Sequence, residues 1–480
     1  MFFSNCCTRL GVLLVLLLTS FSLFSQTTVY GIVSDEAGDP LVGANVFVPS
    51  AQKGTVTSTD GSFELLNLPA DATQLEVSYV GFSTRIVDLQ KNQENRLELR
   101  LSEDPVFTGE VIVSATRADD RTPMTYTTVN REQIQQNNLG QDVPFVLRWT
   151  PSAVVTSDAG TGIGYTGIWI RGTDPTRINV TINSIPVNDA ESQGVFWVDL
   201  PDFASSAEDI QIQRGVGSST NGAGAFGATI NLNTSKVNPE AYASTDVTVG
   251  SFNTLKGNLR FGTGLLKNGF TIDGRLSRIT SDGYIDRGSA DLSSWYLSGA
   301  WIGEKSSVRL NAFNGHEVTY QAWNGVDASL VDDPETRTSN TAGTEKEGEP
   351  YDNEVDDYEQ TYFQLLFNHE FNRNWNLNLA GHWTIGQGFF EQYKAGEDFA
   401  DYGLTPIELG GETINTTDLI RRRWLDNDFY GSTYSLHYNS DDDRFRATLG
   451  GGYHIYQGAH FGEIIWARFA AESEIRDRYY

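Results

Sequence analysis

The chain has 480 residues, enough for several domains, and a formal net charge of −28 at pH 7. This excess of carboxylates argues against nucleic-acid binding, because phosphate backbones are bound by basic surfaces. Aromatic residues make up 12% of the chain, glycine is abundant at 47 residues and methionine is rare at 2, a composition that favours a β-rich protein over a helical enzyme.

The first 25 residues have the pattern of a secretory signal peptide. Arg9 supplies a positive charge, and Leu10–Leu18 is an apolar run too short to span a membrane as a helix. Both cysteines, Cys6 and Cys7, lie in this segment. The mature chain therefore has no cysteine, which excludes a disulfide scaffold, a thiolate metal site and a cysteine nucleophile.

Residues 26–102 alternate apolar and polar side chains between turn signals, which predicts a small β-sandwich. Gly54–Leu65 is predicted to be a hairpin that turns at Asp60 and Gly61. The segment resembles the carboxypeptidase-regulatory-like domain found at the N-terminus of some outer-membrane receptors. It contains no histidine and no metal-ligand cluster, so we interpret it as an interaction or spacer module.

The stretch Ile210–Thr234 has alternating apolar residues at both ends and glycines between them. Gly222–Gly227 spells G-x-G-x-x-G, the dinucleotide-binding fingerprint, which requires a helix directly after the glycines. The residues that follow predict a strand instead. A nucleotide site is therefore excluded.

This stretch resembles the closing segment of the plug domain of TonB-dependent outer-membrane receptors, with Arg214, Gly215, Gly222, Ala225, Gly227, Ile230 and Asn231 at the positions that the family pattern requires. A second plug motif is similar over Ile168–Gly172 and Ile178–Asn188, where Asn183 and Ser184 replace the usual Asp-Gly. The resemblance implies an α+β plug over residues 124–236, and Asn130 with Gln133 predicts a capping box at the start of a helix. It also implies that Arg171 and Arg214 lock the plug to the barrel through carboxylates.

By the same resemblance, two apical loops of the plug contact cargo, at residues 157–165 and 189–197. The candidate cargo-contacting residues are Tyr165, Asp189, Glu191, Gln193, Phe196 and Trp197. An alternative remains open for Phe196 and Trp197, which are equally suited to packing the plug against the barrel.

Residues 103–123 form a predicted linker, and within it Gly109–Arg117 resembles a TonB box. An extended β-branched segment can add to the edge of a partner's sheet through backbone hydrogen bonds. The predicted TonB-binding residues are Glu110, Val111, Ile112, Val113, Ser114, Ala115 and Thr116. An ordinary buried strand is the alternative.

Residues 237–480 show strands of half-apolar alternation, for example Leu259 and Phe261 against Asn258 and Arg260. Short and long connections alternate, which is typical of a transmembrane β-barrel. We count nine or ten strands, whereas the family's barrel has 22. The sequence therefore predicts the first part of such a barrel and the N-terminal part of a longer receptor. The acidic stretch Asp332–Glu359 is interpreted as a solvated loop, with a Ca²⁺ site as the alternative.

The fold class predicted is mainly β, comprising signal peptide, β-sandwich, plug and partial barrel. The resemblance implies proton-motive-force-energised import across the outer membrane of a Gram-negative bacterium. The expected partners are TonB with its inner-membrane motor proteins, outer-membrane lipid and a small-molecule cargo. We expect no catalytic residue, cofactor, metal site or nucleic acid, since the sequence contains no H-E-x-x-H motif and no serine elbow.

The predicted cargo is a ferric siderophore or other iron chelate, which is the commonest cargo in the family. One alternative is SusC-like import of an oligosaccharide or peptide. The other is a structural or adhesive outer-membrane protein that transports nothing.

Overall fold

The computed structural model describes residues 27–480 except 37, 70–71, 80–81, 91–93, 103–115, 120–121, 218–223, 236 and 443. The predicted signal peptide and residues 110–115 of the predicted TonB-binding segment lie outside the described residues. The chain divides into two compact units, residues 1–107 and 108–480, and the division falls within the predicted linker. Among the described residues, no helix combines the length and the apolar content needed to cross a membrane.

The first unit is a sandwich of two small sheets, as predicted. Its strands are β1 (Thr27–Ser34), β2 (Asn45–Val48), β3 (Lys53–Val56), β4 (Ser62–Leu68), β5 (Gln74–Tyr79), β6 (Phe82–Asp88) and β7 (Glu94–Arg100). One sheet has the order β4-β1-β7 and the other β3-β2-β5-β6. Inward-facing side chains of both sheets, among them Val29, Val46 and Leu75, form one buried core.

The predicted hairpin over Gly54–Leu65 is wrong. β3 pairs with β2, and β4 pairs with β1, so the turn at Asp60 and Gly61 carries the chain from one sheet to the other. The turn itself forms, with Gly61 at φ +76°. Burial of Phe63 against the core directs β4 to the opposite sheet, and local turn chemistry does not determine which partner a strand takes.

The second unit begins with the plug. Its elements are β8 (Thr125–Asn130), α1 (Arg131–Asn137), α2 (Val143–Val146), β9 (Ala153–Ser157), β10 (Thr166–Ile170), β11 (Ile178–Ile182), β12 (Ile185–Pro186), β13 (Asp209–Arg214) and β14 (Ala228–Asn233). The main sheet has the order β12-β11-β14-β13-β8, and β9 pairs with β10. Both predicted motifs therefore form strands of the plug. Asn130 Oδ1 accepts from Gln133 N at 2.9 Å, which confirms the predicted capping box.

The turn between β11 and β12 is formed by Asn183 and Ser184, which replace the Asp-Gly pair of the family pattern. Asn183 and Ser184 have φ of +53° and +67°, the left-handed region in which asparagine is tolerated better than most residues. Asn183 Oδ1 also accepts from Thr234 N at 2.9 Å, so its buried side chain fastens the turn to the end of β14.

The rest of the second unit is a sheet of nine strands, here called the barrel sheet, with the order β15-β16-β17-β18-β19-β20-β21-β24-β25. Its strands are β15 (Tyr242–Val249), β16 (Leu255–Gly262), β17 (Phe270–Ser281), β18 (Ala290–Ile302), β19 (Ser306–Tyr320), β20 (Val355–Asn372), β21 (Trp375–Asp398), β24 (Thr416–Asn439) and β25 (Arg446–Ala467). A separate hairpin joins β22 (Ile407–Leu409) to β23 (Glu412–Ile414). The number of strands agrees with the prediction.

The two faces of the barrel sheet have opposite polarity. Leu259 and Phe261 are 43% and 42% exposed on the outer face, whereas Asn258 and Arg275 are each 3% exposed on the inner face. An apolar exterior and a polar interior are what a strand in a lipid bilayer requires. The alternation read from the sequence is therefore confirmed.

The predicted alternation of connection lengths is clear only from β18 onwards, where the links 303–305, 373–374 and 440–445 at one end are short and the links 321–354 and 399–415 at the other end are long. It is not found before β18, where the links 250–254, 263–269 and 282–289 are similar in length. The strands extend further than predicted into the long loops. Residues 355–359 of the acidic stretch belong to β20, so that part of the loop prediction is wrong.

The plug packs against the inner face through aromatic rings. The ring centroid of Phe203 in the plug lies 5.2 Å from that of Phe313 in β19. The Phe313 ring stacks on Tyr362 of β20, with 4.6 Å between the centroids. These rings and Trp197 belong to the largest buried core of the unit, which contains residues of both plug and barrel sheet. The plug and the barrel sheet therefore share one hydrophobic core.

A buried carboxylate, that of Asp202, joins the plug to four positions of β16 and β17, namely Lys256, Asn258, Arg275 and Ser277. Asp202 Oδ1 lies 2.6 Å from Lys256 Nζ, and Asp202 Oδ2 lies 3.4 Å from Arg275 Nη1. Ser277 Oγ donates to Asp202 Oδ2 at 2.8 Å. Burial alone raises the pKa of the Asp202 carboxyl, but the charges of Lys256 and Arg275 outweigh burial and hold the pKa well below its usual range.

Replacing Asp202 with asparagine tests this attachment. Asp202→Asn keeps a side chain that tolerates the φ of +52° but leaves Lys256 and Arg275 buried without their counter-charge. We expect the free energy of unfolding to fall by about 3–5 kcal/mol. The measurement is guanidinium unfolding of the detergent-solubilised protein, followed by tryptophan fluorescence.

The matched control is Asp246→Asn, because Asp246 is 57% exposed and lies 3.6 Å from Arg260. Because the Asp246 carboxylate lies largely in solvent, although Arg260 is only 13% exposed, its replacement should cost less than about 1 kcal/mol. Equal loss of stability in the two variants would contradict the proposed attachment.

A close backbone approach gives a second prediction. A Cβ added to Gly315 of β19 would lie 2.1 Å from Asp199 O and 2.6 Å from Pro201 Cδ, whereas one added to Gly299 of β18 meets no atom within 4 Å. Gly315→Ala should therefore displace the plug and lower the free energy of unfolding by about 1–3 kcal/mol, and Gly299→Ala should not. Thermal unfolding in the same detergent measures both, and a stable Gly315→Ala variant would refute the tight contact.

Candidate functional site

A cavity of about 640 Å³ lies between the plug and the inner face of the barrel sheet. Two plug loops form one side, and β20, β21, β24 and β25 form much of the other. Many of the lining side chains are aromatic, including Tyr165, Phe196, Trp323, Tyr358, Phe389 and Trp424. A concave site with aromatic walls and a few polar groups is the usual form of a small-molecule site.

The glycine-rich loop between β9 and β10 brings Tyr165 into the cavity. Gly160 and Gly162 both have φ of +80°, a conformation that glycine adopts without strain. The Tyr165 ring meets Trp323 edge-on with 5.3 Å between centroids, and its hydroxyl donates to Asp356 of β20. This loop therefore contacts the barrel sheet as well as lining the cavity.

The loop after β12 is folded around one aspartate. Asp189 Oδ1 accepts from Glu191 N at 3.1 Å and from Ser192 N at 2.6 Å, an arrangement typical of an Asx turn. The Glu191 side chain then extends to β25, with Oε2 2.7 Å from His460 Nε2 and 3.3 Å from Tyr456 OH. The loop is thus held against β25, the last strand of the barrel sheet.

Four of the predicted cargo-contacting residues line this cavity, namely Tyr165, Asp189, Glu191 and Phe196. Gln193 lines a second cavity of about 600 Å³ beside β21, β24 and β25. Trp197 is 3% exposed and lies in the shared core, whereas Phe196 is 45% exposed. The packing alternative therefore describes Trp197 and not Phe196. Contact of any of these residues with cargo stays a prediction.

Carboxylates outnumber basic groups in the cavity. Asp199 is 6% exposed, and burial raises its pKa well above the ordinary value, with a further rise from the charges of Asp356 and Asp189. Burial likewise raises the pKa of Tyr165, as do the nearby charges of Glu317 and Asp356. The basic lining groups are Arg423 and His460, and His460 lies against Glu191. The cavity therefore has a negative electrostatic character.

Sequence reasoning missed Asp199, Trp323 and Arg423 as lining residues. Asp199 ends a short 3-10 turn at Trp197–Asp199, Trp323 lies in the loop after β19, and Arg423 lies in β24. No local motif connects them, because tertiary structure alone brings them together.

The two arginines predicted to lock the plug to the barrel make contacts inside the plug. Arg171 Nη2 donates to Thr125 Oγ1 at 3.4 Å, and Arg214 Nη1 donates to Pro151 O at 3.2 Å. Their locking role through barrel carboxylates stays a prediction. Other plug carboxylates do pair with the barrel sheet, namely Asp202 with Lys256 and Arg275, Asp119 with Arg446, and Glu191 with His460.

The end of the predicted TonB-binding segment is held on the plug sheet by buried amides, here called the amide clamp and formed by Gln211, Gln213 and Asn231. Gln213 Nε2 and Asn231 Nδ2 donate to Thr116 O at 2.8 Å and 3.2 Å. Gln211 bonds both the N–H and the C=O of Ala118, at 2.8 Å and 3.0 Å. The polar face of β13 and β14, which the sequence marks only by alternation, is thus occupied by the chain that enters the plug.

Within the described ranges, no three His, Cys, Asp or Glu side chains form a group suited to a metal ion. The acidic stretch, for which Ca²⁺ binding was one interpretation, is instead fastened through its backbone. Arg287 Nη2 donates to Asn340 O at 2.6 Å, and Tyr320 OH donates to Tyr351 O at 2.5 Å. These contacts describe a packed loop over the end of the barrel sheet.

Two family models match the chain. The CarboxypepD_reg-like domain matches residues 29–113, and the TonB-dependent Receptor Plug Domain matches residues 118–229. Among curated relatives, the TonB-dependent receptor SusC of Bacteroides thetaiotaomicron is 34% identical over 88 residues, covering 18% of this chain and 8% of that protein. The TonB-dependent receptor P39 of Formosa agariphila is 28% identical over 174 residues, covering 35% and 16%.

Among solved structures, FpvA of Pseudomonas aeruginosa in complex with iron-bound pyoverdine has a TM-score of 0.53 and 15% identity, covering 72% of this chain and 44% of that one. The likeness at this identity is one of fold. The chain thus spans less than half the length of these relatives. The chain therefore contains a CarboxypepD_reg-like domain followed by a TonB-dependent Receptor Plug Domain, and the fold of its second unit is similar to that of FpvA.

Proposed function

We propose that this chain acts in TonB-dependent import of a scarce small solute across the outer membrane of a Gram-negative bacterium, energised by the proton-motive force. The cavity between the plug loops and the barrel sheet carries the proposal, since it lies at the end with the long connections. Long connections face the cell exterior in barrels of this kind. Family membership supports the same role, because the family consists of receptors rather than enzymes.

Coupling to TonB is proposed to run through the amide clamp. TonB pairs with residues 110–116 by strand addition and pulls. The next residues of the chain, Thr116–Ala118, are bonded to Gln211, Gln213 and Asn231 in the middle of the plug sheet. Tension on the segment therefore acts directly on β13 and β14, and not only on a surface loop.

An iron chelate such as a ferric siderophore remains the first candidate cargo. The negative lining of the cavity repels a chelate with several free negative charges, so the chelate would be neutral or positively charged. An oligosaccharide or peptide is the second candidate, favoured by the many aromatic rings, against which apolar faces can stack, and by the SusC match.

Proline substitutions test the TonB-binding segment. Val111→Pro together with Val113→Pro removes two backbone donors and blocks strand addition. We expect uptake by cells that express the full-length receptor to be lost, while cargo binding to the purified receptor is unchanged. Mass spectrometry of the medium follows depletion of iron chelates, oligosaccharides and peptides.

Phe107→Pro, in the linker before the segment, is the control for added proline and should leave uptake intact. Uptake that persists in the double variant, or in cells without TonB, would exclude TonB-dependent transport. Complete absence of uptake by the unaltered receptor would favour the structural or adhesive alternative.

Weakening the amide clamp tests the coupling route. Gln211→Met with Gln213→Met removes three hydrogen bonds to Thr116 and Ala118, each contributing about 1 kcal/mol. We expect uptake to fall at least severalfold with cargo affinity unchanged, because the pulled segment detaches before the plug moves. Gln141→Met is the control, since Gln141 Nε2 donates to a different carbonyl, Thr161 O at 3.0 Å. Equal uptake in both variants would refute the coupling route.

A further inference from the structure

Asp199 has a buried carboxylate that faces the cavity without a partner. Its side chain lines the cavity and is 6% exposed. Its backbone N–H donates to Phe196 O at 3.2 Å, but among the described residues no hydrogen bond or ion pair reaches its carboxylate. Buried carboxylates are normally paired, because desolvation of an unpaired charge is costly.

The charges around Asp199 increase this cost. The carboxylates that line the same cavity are Asp158, Asp189, Glu191 and Asp356. Glu317 lies behind Tyr165, with 3.5 Å between its Oε1 and the tyrosine hydroxyl. The basic groups are Arg423, whose guanidinium lies 6.0 Å from the centre of the Phe390 ring, and His460, which is engaged with Glu191. Among the described residues, neither basic group forms an ion pair with Asp199.

The aromatic lining determines which kind of cation suits the cavity. Tyr165, Phe196 and Trp323 form an edge-to-face cluster with centroid distances of 6.4 Å and 5.3 Å. Aromatic faces attract organic ammonium and guanidinium groups. A metal ion would need several oxygen ligands converging on one point, and the described carboxylates form no such group.

We propose that Asp199 binds a positively charged amine or guanidinium of the cargo, while the aromatic cluster covers the remainder of that group. This inference rests on the proposed import function and narrows its cargo to solutes that bear an organic cation. The cation can come from an amine-bearing iron chelate or from a basic peptide. An anionic chelate and a neutral oligosaccharide are disfavoured.

Paired probes distinguish the two sources. Ferrioxamine B carries a free ammonium group, which its N-acetyl derivative lacks, and trilysine is compared with its ε-acetylated form. Binding of all four to the purified full-length receptor in detergent is measured by calorimetry. We expect the amine-bearing member of one pair to bind at least tenfold more tightly than its acetylated partner. The pair that shows the preference identifies the source.

Two variants assign the preference to the site. Asp199→Asn should abolish the preference for the amine, whereas Asp246→Asn, which alters a half-exposed carboxylate of β15 that does not line the cavity, should preserve it. Asp189→Asn, which retains an oxygen for Ser192 N, should reduce the preference severalfold and is informative if Asp199→Asn does not fold. Absence of a preference in both pairs, or a preference that survives both Asp199→Asn and Asp189→Asn, would overturn the inference.

This test is independent of the proposed function, because binding to the purified receptor requires neither TonB nor uptake. If the unaltered receptor shows no amine preference but its uptake depends on TonB, only the proposed cargo class is refuted. If it shows an amine preference but no TonB-dependent uptake, the cation site is supported and the proposed transport role is refuted.

Discussion

The polarity of the barrel sheet is the constraint on which the other features of the second unit depend. Side chains that face lipid must be apolar, so polar residues at that level of the strands are directed inwards. Lys256, Arg275 and Asn258 are buried there, and a buried charge must be compensated. The plug supplies that compensation with one carboxylate, Asp202, and supplies apolar cover with Phe203. The plug therefore lies where it can pair the charged side chains that the strands bury.

The same reasoning explains why the plug sheet has two buried faces of different kinds. Ile210, Ile212, Ile230 and Leu232 face the shared core. Gln211, Gln213 and Asn231 on the other face are also buried, and they are satisfied by the backbone of Thr116 and Ala118. The backbone groups of this segment bond to side-chain amides rather than to the backbone of a neighbouring strand. The segment is therefore bound to the plug sheet through side chains and is not itself a strand of that sheet.

Much of the fold was predictable because its signals are local. Period-two alternation located the strands of both units, and the Asn130–Gln133 pair located the start of α1. Strand partners were less predictable, as the turn at Asp60 and Gly61 demonstrates, since pairing there depends on which sheet buries Phe63. The extension of β20 into an acidic stretch had no local signal either, because Asp356 and Asp357 pair with residues of β21 that are distant in sequence.

The site was predictable only where a motif pointed to it. The two apical loops followed from the plug motifs, and four of the six named residues do line the cavity. Asp202 and Asp199 were not identified, since each is one carboxylate among many in an acidic chain. What distinguishes them is their environment, because cations surround Asp202, whereas Asp199 lies among other carboxylates.

The contrast between these two aspartates connects structure to function. The two residues lie three positions apart, and the short segment from Trp197 to Phe203 that contains them packs against the barrel sheet. The Asp202 end is fixed by ion pairs and by the shared core. The Asp199 end faces an open cavity, in which none of the described residues pairs with its carboxyl group. A bound cation at Asp199 would remove repulsion from Asp356 and Asp189 and so stabilise the occupied state of the plug relative to the empty one. Because the opposite end of the segment is anchored, that stabilisation would act on the loops at residues 157–165 and 189–194, which are the loops predicted to contact cargo.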